Sequence, residues 1–301
     1  MDRFKYILIC GAFILFQACS AEGPQVSPES VQEDFFESEI GGEAFQFESI
    51  SIAPEDQEKA SRAPEGMVFI KGGCFTMGNN YAQVDESPEH EACLDDFYMD
   101  KYEVTQSRWE KRVKFNPSKF TGSDLPVEQI NYYDVQEFIS KSEGQCNLPT
   151  EAQWEYAARG RAEARYFWGN MMNDKYAWFE DNSGGKTHPV GQKKPNQFGL
   201  YDMAGNVWEW TSDWYDAAYQ RGKQSNPTGV PAGDFKVIRG GAFDSSAGAL
   251  RITNRTWIHP RNRMFPKVTT FGQIINEIYN FIGFRCVQPV PPPASVSTSK
   301  E

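Results

Sequence analysis

Histidine is scarce, with 3 in 301 residues. His90, His188 and His259 stand far apart in sequence, which argues against a histidine-built metal centre. Cysteine is sparse too, 6 in all, and no Cys-x-x-Cys occurs, so zinc-ribbon and dithiol motifs are absent. Basic clusters are lacking. With 30 Lys+Arg against 41 Asp+Glu the net charge is -11, and no nucleic-acid partner is expected, because phosphate binding needs a basic face. The main apolar run, Tyr6 to Phe16, falls well short of the roughly 20 residues a helix needs to span a bilayer. No later segment is apolar enough. Sustained helical periodicity is missing as well: 25 Gly and 18 Pro are scattered along the chain, which predicts many loops and little regular structure.

Aromatics are plentiful. With 22 Phe, 13 Tyr and 8 Trp the core can be large, and residues 65–288 read as dense globular sequence, enough for one large domain or two small ones. At the N-terminus, Arg3 and Lys5 precede the apolar run, and Phe16-Gln17-Ala18-Cys19 resembles the lipobox of bacterial lipoproteins. Residues 1–18 are therefore expected to be a cleaved signal peptide and Cys19 the lipidated N-terminus; the alternative is an ordinary signal peptide with a chance cysteine. Ser20, rather than aspartate, after Cys19 favours the outer membrane. Residues 19–64 are acidic and poor in apolar surface, so a disordered tether is expected, and Pro289 to Glu301 reads as a Pro/Ser-rich tail. Cys74, Cys93, Cys146 and Cys286 remain. An exported chain tends to pair its cysteines, with three pairings possible that spacing does not distinguish; metal binding is the weaker alternative.

Local patterns place several elements. Residues 66–70 and 72–78 read as two strands around a glycine turn, a hairpin signal. Residues 97–104 alternate as a strand. Thr105 caps a helix from Gln106 with Trp109 and Val113 on one side, and Asn131 caps a stretch in which Val135, Phe138 and Ile139 share a face. The clearest helix follows Thr150, where Thr150 and Gln153 form a capping box, Trp154, Ala157 and Ala158 share a face, and Gly160 suits the C-terminal turn. The segment around Trp208 to Trp210 pairs through Arg239 to Phe243, and Gly283 to Cys286 closes the domain as a strand.

GMVFIKGGCFTMGN, DKYEVTQSRWE, PVEQINYYDVQEF, LPTEAQWEYAARG, FGLYDMAGNVWEWTSDW, RGGAF and GFRC occur in the order of the formylglycine-generating enzyme (sulfatase-modifying factor) domain, which this chain resembles from Gly66 to Cys286. The resemblance implies an irregular α+β variant of the C-type-lectin fold. It also implies a sulfatase-activating oxidase that uses molecular oxygen and a copper(I) held by two cysteines. In the family register those cysteines fall on Ser245 and Leu250, and no cysteine lies between Cys146 and Cys286. Copper(I) is soft and selected by thiolates; a neutral hydroxyl and an alkyl chain do not replace them, so copper is not expected.

Other family features carry over. The resemblance implies a calcium held by Asp202, the carbonyls of Gly205 and Val207, and Glu209, a donor set suited to a hard cation. It also implies pairing Cys146 with Cys286 and Cys74 with Cys93. An additional stretch from Arg263 to Ile282 departs from the family pattern and is a candidate lid or partner-binding element. Cysteine-lacking relatives include cell-envelope lipoproteins, so the leading expectation is a binding or scaffold component of an envelope complex. Its partner protein or peptide would lie in the groove around Trp208, Ala242, Ser245 and Leu250. The alternatives are an altered, iron-dependent oxidative chemistry, for which the three His are the available ligands, the sulfatase-activating oxidase itself, and carbohydrate binding.

Overall fold

The computed structural model describes residues 53–262 and 281–291, together with the backbone at 267–268 and 274–275. The signal peptide, Cys19, most of the tether, most of the Arg263 to Ile282 stretch and the tail beyond residue 291 lie outside the described residues. Helix α1 spans Pro54–Ser61, strands β1 to β4 span Met67–Ile70, Gly73–Met77, His90–Leu94 and Phe97–Asp100, and helices α2 to α4 span Gln106–Glu110, Tyr132–Ser140 and Glu151–Arg159. Strands β5 to β8 follow at Trp208–Trp214, Gln224–Ser225, Lys236–Arg239 and Arg255–Ile258; β9 to β12 are the short pieces Lys267–Val268, Ile274–Ile275, Ile282–Gly283 and Val287–Pro289. This is the expected α+β architecture with little regular structure.

Four small sheets carry it, in the orders β1-β4-β12, β2-β3-β6, β11-β5-β7-β8 and β10-β9. The expected hairpin between the first two strands is corrected: β1 pairs with β4 and β2 with β3, both antiparallel. The reason is steric. A Cβ on Gly72 would sit 2.3 Å from the Leu94 carbonyl oxygen, so the chain between β1 and β2 packs backbone to backbone against the end of β3 and the two strands diverge into different sheets. GFRC is not one strand either; β11 ends at Gly283, β12 begins at Val287, and Cys286 lies between.

The domain is longer at both ends than the composition suggested. Within the acidic stretch read as tether, Pro54–Ser61 is helical, with Pro in the first turn and Glu55 and Asp56 at the positive end of the helix dipole. Lys59 Nζ lies 2.6 Å from Asp96, and the Tyr98 hydroxyl donates to the Lys59 carbonyl at 2.9 Å, which ties the helix to β4. Pro289, assigned to the tail, belongs to β12, and Val290 packs on the core.

The helix caps form as predicted. Thr105 accepts from Arg108 N; Asn131 with Asp134, and Thr150 with Gln153, form reciprocal capping boxes; Gly160 closes α4 in the left-handed region at φ 54°. Such caps contribute about 1 kcal/mol each. Trp109, Val113, Val135 and Phe138 enter one core with Trp210, Phe284 and both half-cystines of Cys146–Cys286. Trp154, Ala157 and Ala158 enter the other with Met99, Phe179 and Leu250. Cys74 and Cys93 join β2 to β3 as the second disulfide, so both implied pairings are formed.

Several buried ion pairs accompany these cores. From α4, Glu151 pairs with Arg255 at 2.7 Å, and Glu155 is held between Arg159 and Arg239; Glu86 pairs with Arg251, and Glu209 with Arg285. Burial alone would raise the Glu155 carboxyl, but Arg159 and Arg239 together bring it below the usual range.

Candidate functional site

Strand β7 ends at Arg239, and Gly240 and Gly241 turn the chain at φ 99° and 76°. Both need glycine: a Cβ at Gly241 would come within 2.9 Å of the Leu250 side chain, and one at Gly240 within 3.2 Å of the Trp154 ring. The turn places Ala242 and Phe243 in a small apolar cluster with Val207 and Phe281, against which Phe120 and Trp208 pack. Phe243 meets Phe281 at 4.4 Å and Phe120 at 5.5 Å between ring centroids.

Ser245 and Leu250 are the positions on which the family resemblance would place the two copper-binding cysteines. Ser245 is half-buried; its hydroxyl oxygen accepts from Ala242 N at 2.9 Å, and its own N–H donates to the Ala242 carbonyl at 3.0 Å. Leu250 is 2% exposed and belongs to the Trp154 core. The structure thus brings Trp208 to Ala242, and Ser245 to the Ala242 backbone, while Leu250 faces the larger core. Ala242 and Leu250 are sealed from solvent, and Trp208 and Ser245 are the partly accessible members of the set. All four described cysteines are consumed in disulfides. A hydroxyl already bonded to the backbone and a buried alkyl chain do not form a copper(I) donor set.

Next to this turn lies a concentration of carboxylates. Glu103 accepts from Asn206 Nδ2 at 2.6 Å and from Val207 N at 3.1 Å. Asp202, itself at φ 55°, accepts from Gly191 N at 2.7 Å. Glu209 takes both Nε and Nη2 of Arg285 and the Trp154 indole N–H at 2.8 Å. All three carboxylates are buried. Burial, then the charges of Asp202 and Glu209, push Glu103 well above the ordinary range; burial lifts Asp202 to about 6 against the opposing Gly191 N–H and Arg285. Three carboxylates therefore share one fully buried guanidinium. Asp202, Glu209 and the chain between them were legible in the sequence. Glu103 and Arg285, on distant segments, were not, because nothing local marks a residue that meets its partners only in the folded state.

A second unforeseen group is Glu128. Its Oε1 accepts from Phe120 N at 3.0 Å, and burial raises it to about 7 against the opposing backbone N–H groups of Phe120 and Lys119. The histidines stay apart. His90 contacts the Pro88 carbonyl, His188 stacks on Trp178 at 3.7 Å, and His259 meets the edge of Phe235. Among the described residues, the one grouping of three His, Cys, Asp or Glu close enough to share a metal is Cys74, Glu91 and Cys93, whose sulfurs are bonded to each other.

The domain described as "Sulfatase-modifying factor enzyme 1-like" matches residues 53–290. The formylglycine-generating enzyme of Bos taurus is 32% identical over 60% of this chain, and the match spans 66% of that enzyme. Chaperone protein LppX of Paenibacillus barcinonensis is 29% identical over 63% of this chain and 82% of its own length. Among solved structures, Treponema denticola variable protein 1 is 27% identical with a TM-score of 0.62, covering 75% of this chain and 95% of that one. With motif order, disulfides, fold and matched length in agreement, this chain belongs to the sulfatase-modifying factor enzyme 1-like family.

Proposed function

We propose that this chain is a binding or scaffold module of the family, anchored in the cell envelope, and not a formylglycine-generating oxidase. The observation that carries the reading is the pair Ser245 and Leu250, one tied to the backbone and the other sealed in the core, where copper chemistry needs two thiolates. A relative named as a chaperone protein supports a binding role, and the lipobox-like Phe16 to Cys19 supports an envelope anchor, with the outer membrane favoured. An altered iron chemistry is disfavoured by the separation of His90, His188 and His259. The test is a mass-spectrometric assay of the purified protein with copper(I), oxygen and a Cys-x-Pro-x-Arg peptide. The peptide should stay unchanged while a two-cysteine relative converts it to the aldehyde; enzyme-dependent aldehyde overturns the reading.

Calcium is part of the same proposal. Asp202 and the Gly205 and Val207 carbonyls would hold it, with Glu209 joining them by giving up part of its bonding to Arg285 and Trp154, and the cation's charge would offset the surplus of buried carboxylate around Arg285. Its role would be structural, tying the segment before β5 to the start of that strand. Added calcium should raise the melting temperature of chelator-treated protein and leave Asp202→Ala unmoved; equal melting with and without calcium removes this part of the proposal.

A further inference from the structure

Away from the Ser245 turn, an open cleft of about 930 Å³ lies between β2 with its following turn and the chain leaving α4. Its size suits a ligand of several rings. Three observations set its chemistry.

The first is charge. In a protein of net charge -11, the cleft is lined by Arg159, Arg161, Arg165 and Arg251. Arg159 and Arg251 are neutralised by the buried Glu155 and Glu86. Arg161 and Arg165 form no ion pair with a described residue; each lies over an aromatic ring, Phe198 and Tyr166, at 5.6 Å. Two exposed guanidiniums on one loop present planar donors matched to a carboxylate. The second is backbone geometry. Arg161 has φ 75°, immediately after Gly160 at 54°. A non-glycine residue in the left-handed region is held there by its surroundings, and this one lines the cleft.

The third is the opposite wall. Asn79 Oδ1 accepts from Tyr81 N at 2.8 Å, and Asn80 and Glu89 exchange bonds at 3.1 and 2.9 Å. These bonds stiffen a turn that presents Tyr81, 94% exposed, at the cleft edge. The lining also mixes amide groups of Asn79 and Asn170 with the carboxylates of Glu89 and Glu163. Donors and acceptors side by side suit the many hydroxyl groups of a sugar, which do both, whereas the carboxylate side chains of an acidic peptide only accept.

We propose that this cleft binds an acidic oligosaccharide, a uronate carboxylate lying on Arg161 and Arg165 and a sugar ring on the face of Tyr81. The site is separate from the Ser245 turn, so it stands or falls independently of the oxidase assay.

The test is calorimetric titration of the full-length protein with tetragalacturonate, with neutral cellotetraose and hexaglutamate as comparators. Tetragalacturonate should bind. The double variant Arg161→Asn, Arg165→Gln should lose roughly tenfold or more in affinity, and Tyr81→Ala roughly threefold, with melting temperatures unchanged. Asparagine at position 161 keeps the left-handed backbone accessible. Absence of tetragalacturonate binding, equal affinity in the double variant, or equally tight binding of cellotetraose or hexaglutamate would each overturn the proposal.

Discussion

Two regions that meet at the end of β7 are built in opposite ways. On the α4 side the interior is held by buried ion pairs, with Glu151, Glu155 and Glu209 each matched to an arginine from a distant strand or loop. On the other side, at the turn after β7, the interior is Ala242, Phe243, Val207 and Phe281, with one hydroxyl satisfied by its own turn. The first region is structural scaffolding made of charge, and its failure would cost the fold. The second is an apolar cluster whose one polar side chain, Ser245, is bonded to its own turn. A framework of this kind depends on many mutually supporting contacts, whereas the copper chemistry that the family resemblance implies would depend on two side chains, so the first can persist without the second.

The sharpest way to break this comparison is to remove one charge from the framework. Arg239→Met leaves Glu155 buried with only Arg159, and should lower stability by about 3–5 kcal/mol in denaturant unfolding. A loss near zero would mean that packing, not charge pairing, holds this region.

The disulfides give the next largest effect. Cys146–Cys286 closes a separation of 140 residues and Cys74–Cys93 one of 19. Replacing the first pair by serine should cost about 2–4 kcal/mol, and about 1.5 kcal/mol more than replacing the second, if loop-closure entropy dominates. Equal losses would point to local packing instead.

A smaller effect is expected from pH. Burial, then the charge of Glu151, raises Asp213 to about 7, against an ordinary value of 3.8. The folded state then binds a proton that the unfolded state does not, so this group favours folding increasingly as pH falls through 7, and the gain is complete below about 3.8. Asp213→Asn keeps the acceptor for Glu151 N and removes the charge. Its stability relative to the unsubstituted protein should rise by roughly 1–3 kcal/mol between pH 5 and pH 8. A pH-independent difference would show that Asp213 stays ionised.

The smallest effect should come from the turn after β7. Ser245→Ala removes one partly buried hydrogen bond and should cost about 1 kcal/mol or less, with no change in peptide oxidation. Any change in oxidation would return Ser245 to a chemical role.

Legibility in the sequence followed the range of the interaction. The partners of the capping pairs at Asn131 and Thr150 are three residues apart, so their side chains meet whenever the helix forms, and the sequence alone located the cap at Asn131 and the whole box at Thr150 and Gln153. The motif order identified the family, and the lack of any cysteine between Cys146 and Cys286 was equally legible, since a donor atom is either present or absent. The bonding of β2 to β3 rather than to β1 was not legible, because it turns on a backbone contact between Gly72 and Leu94. Nor was the inward face of Glu151 and Glu155, whose burial is tolerable only because Arg255 and Arg239 arrive from strands about a hundred residues away. Residues 54–61 read as solvated by composition, yet Asp96 and Tyr98 hold their helix on the domain. Local hydrogen-bond geometry and elemental composition were thus determined by the sequence itself. The tertiary structure decided where charge is buried and which residues share the Arg161 cleft, because desolvation and ion pairing depend on groups that only folding brings together.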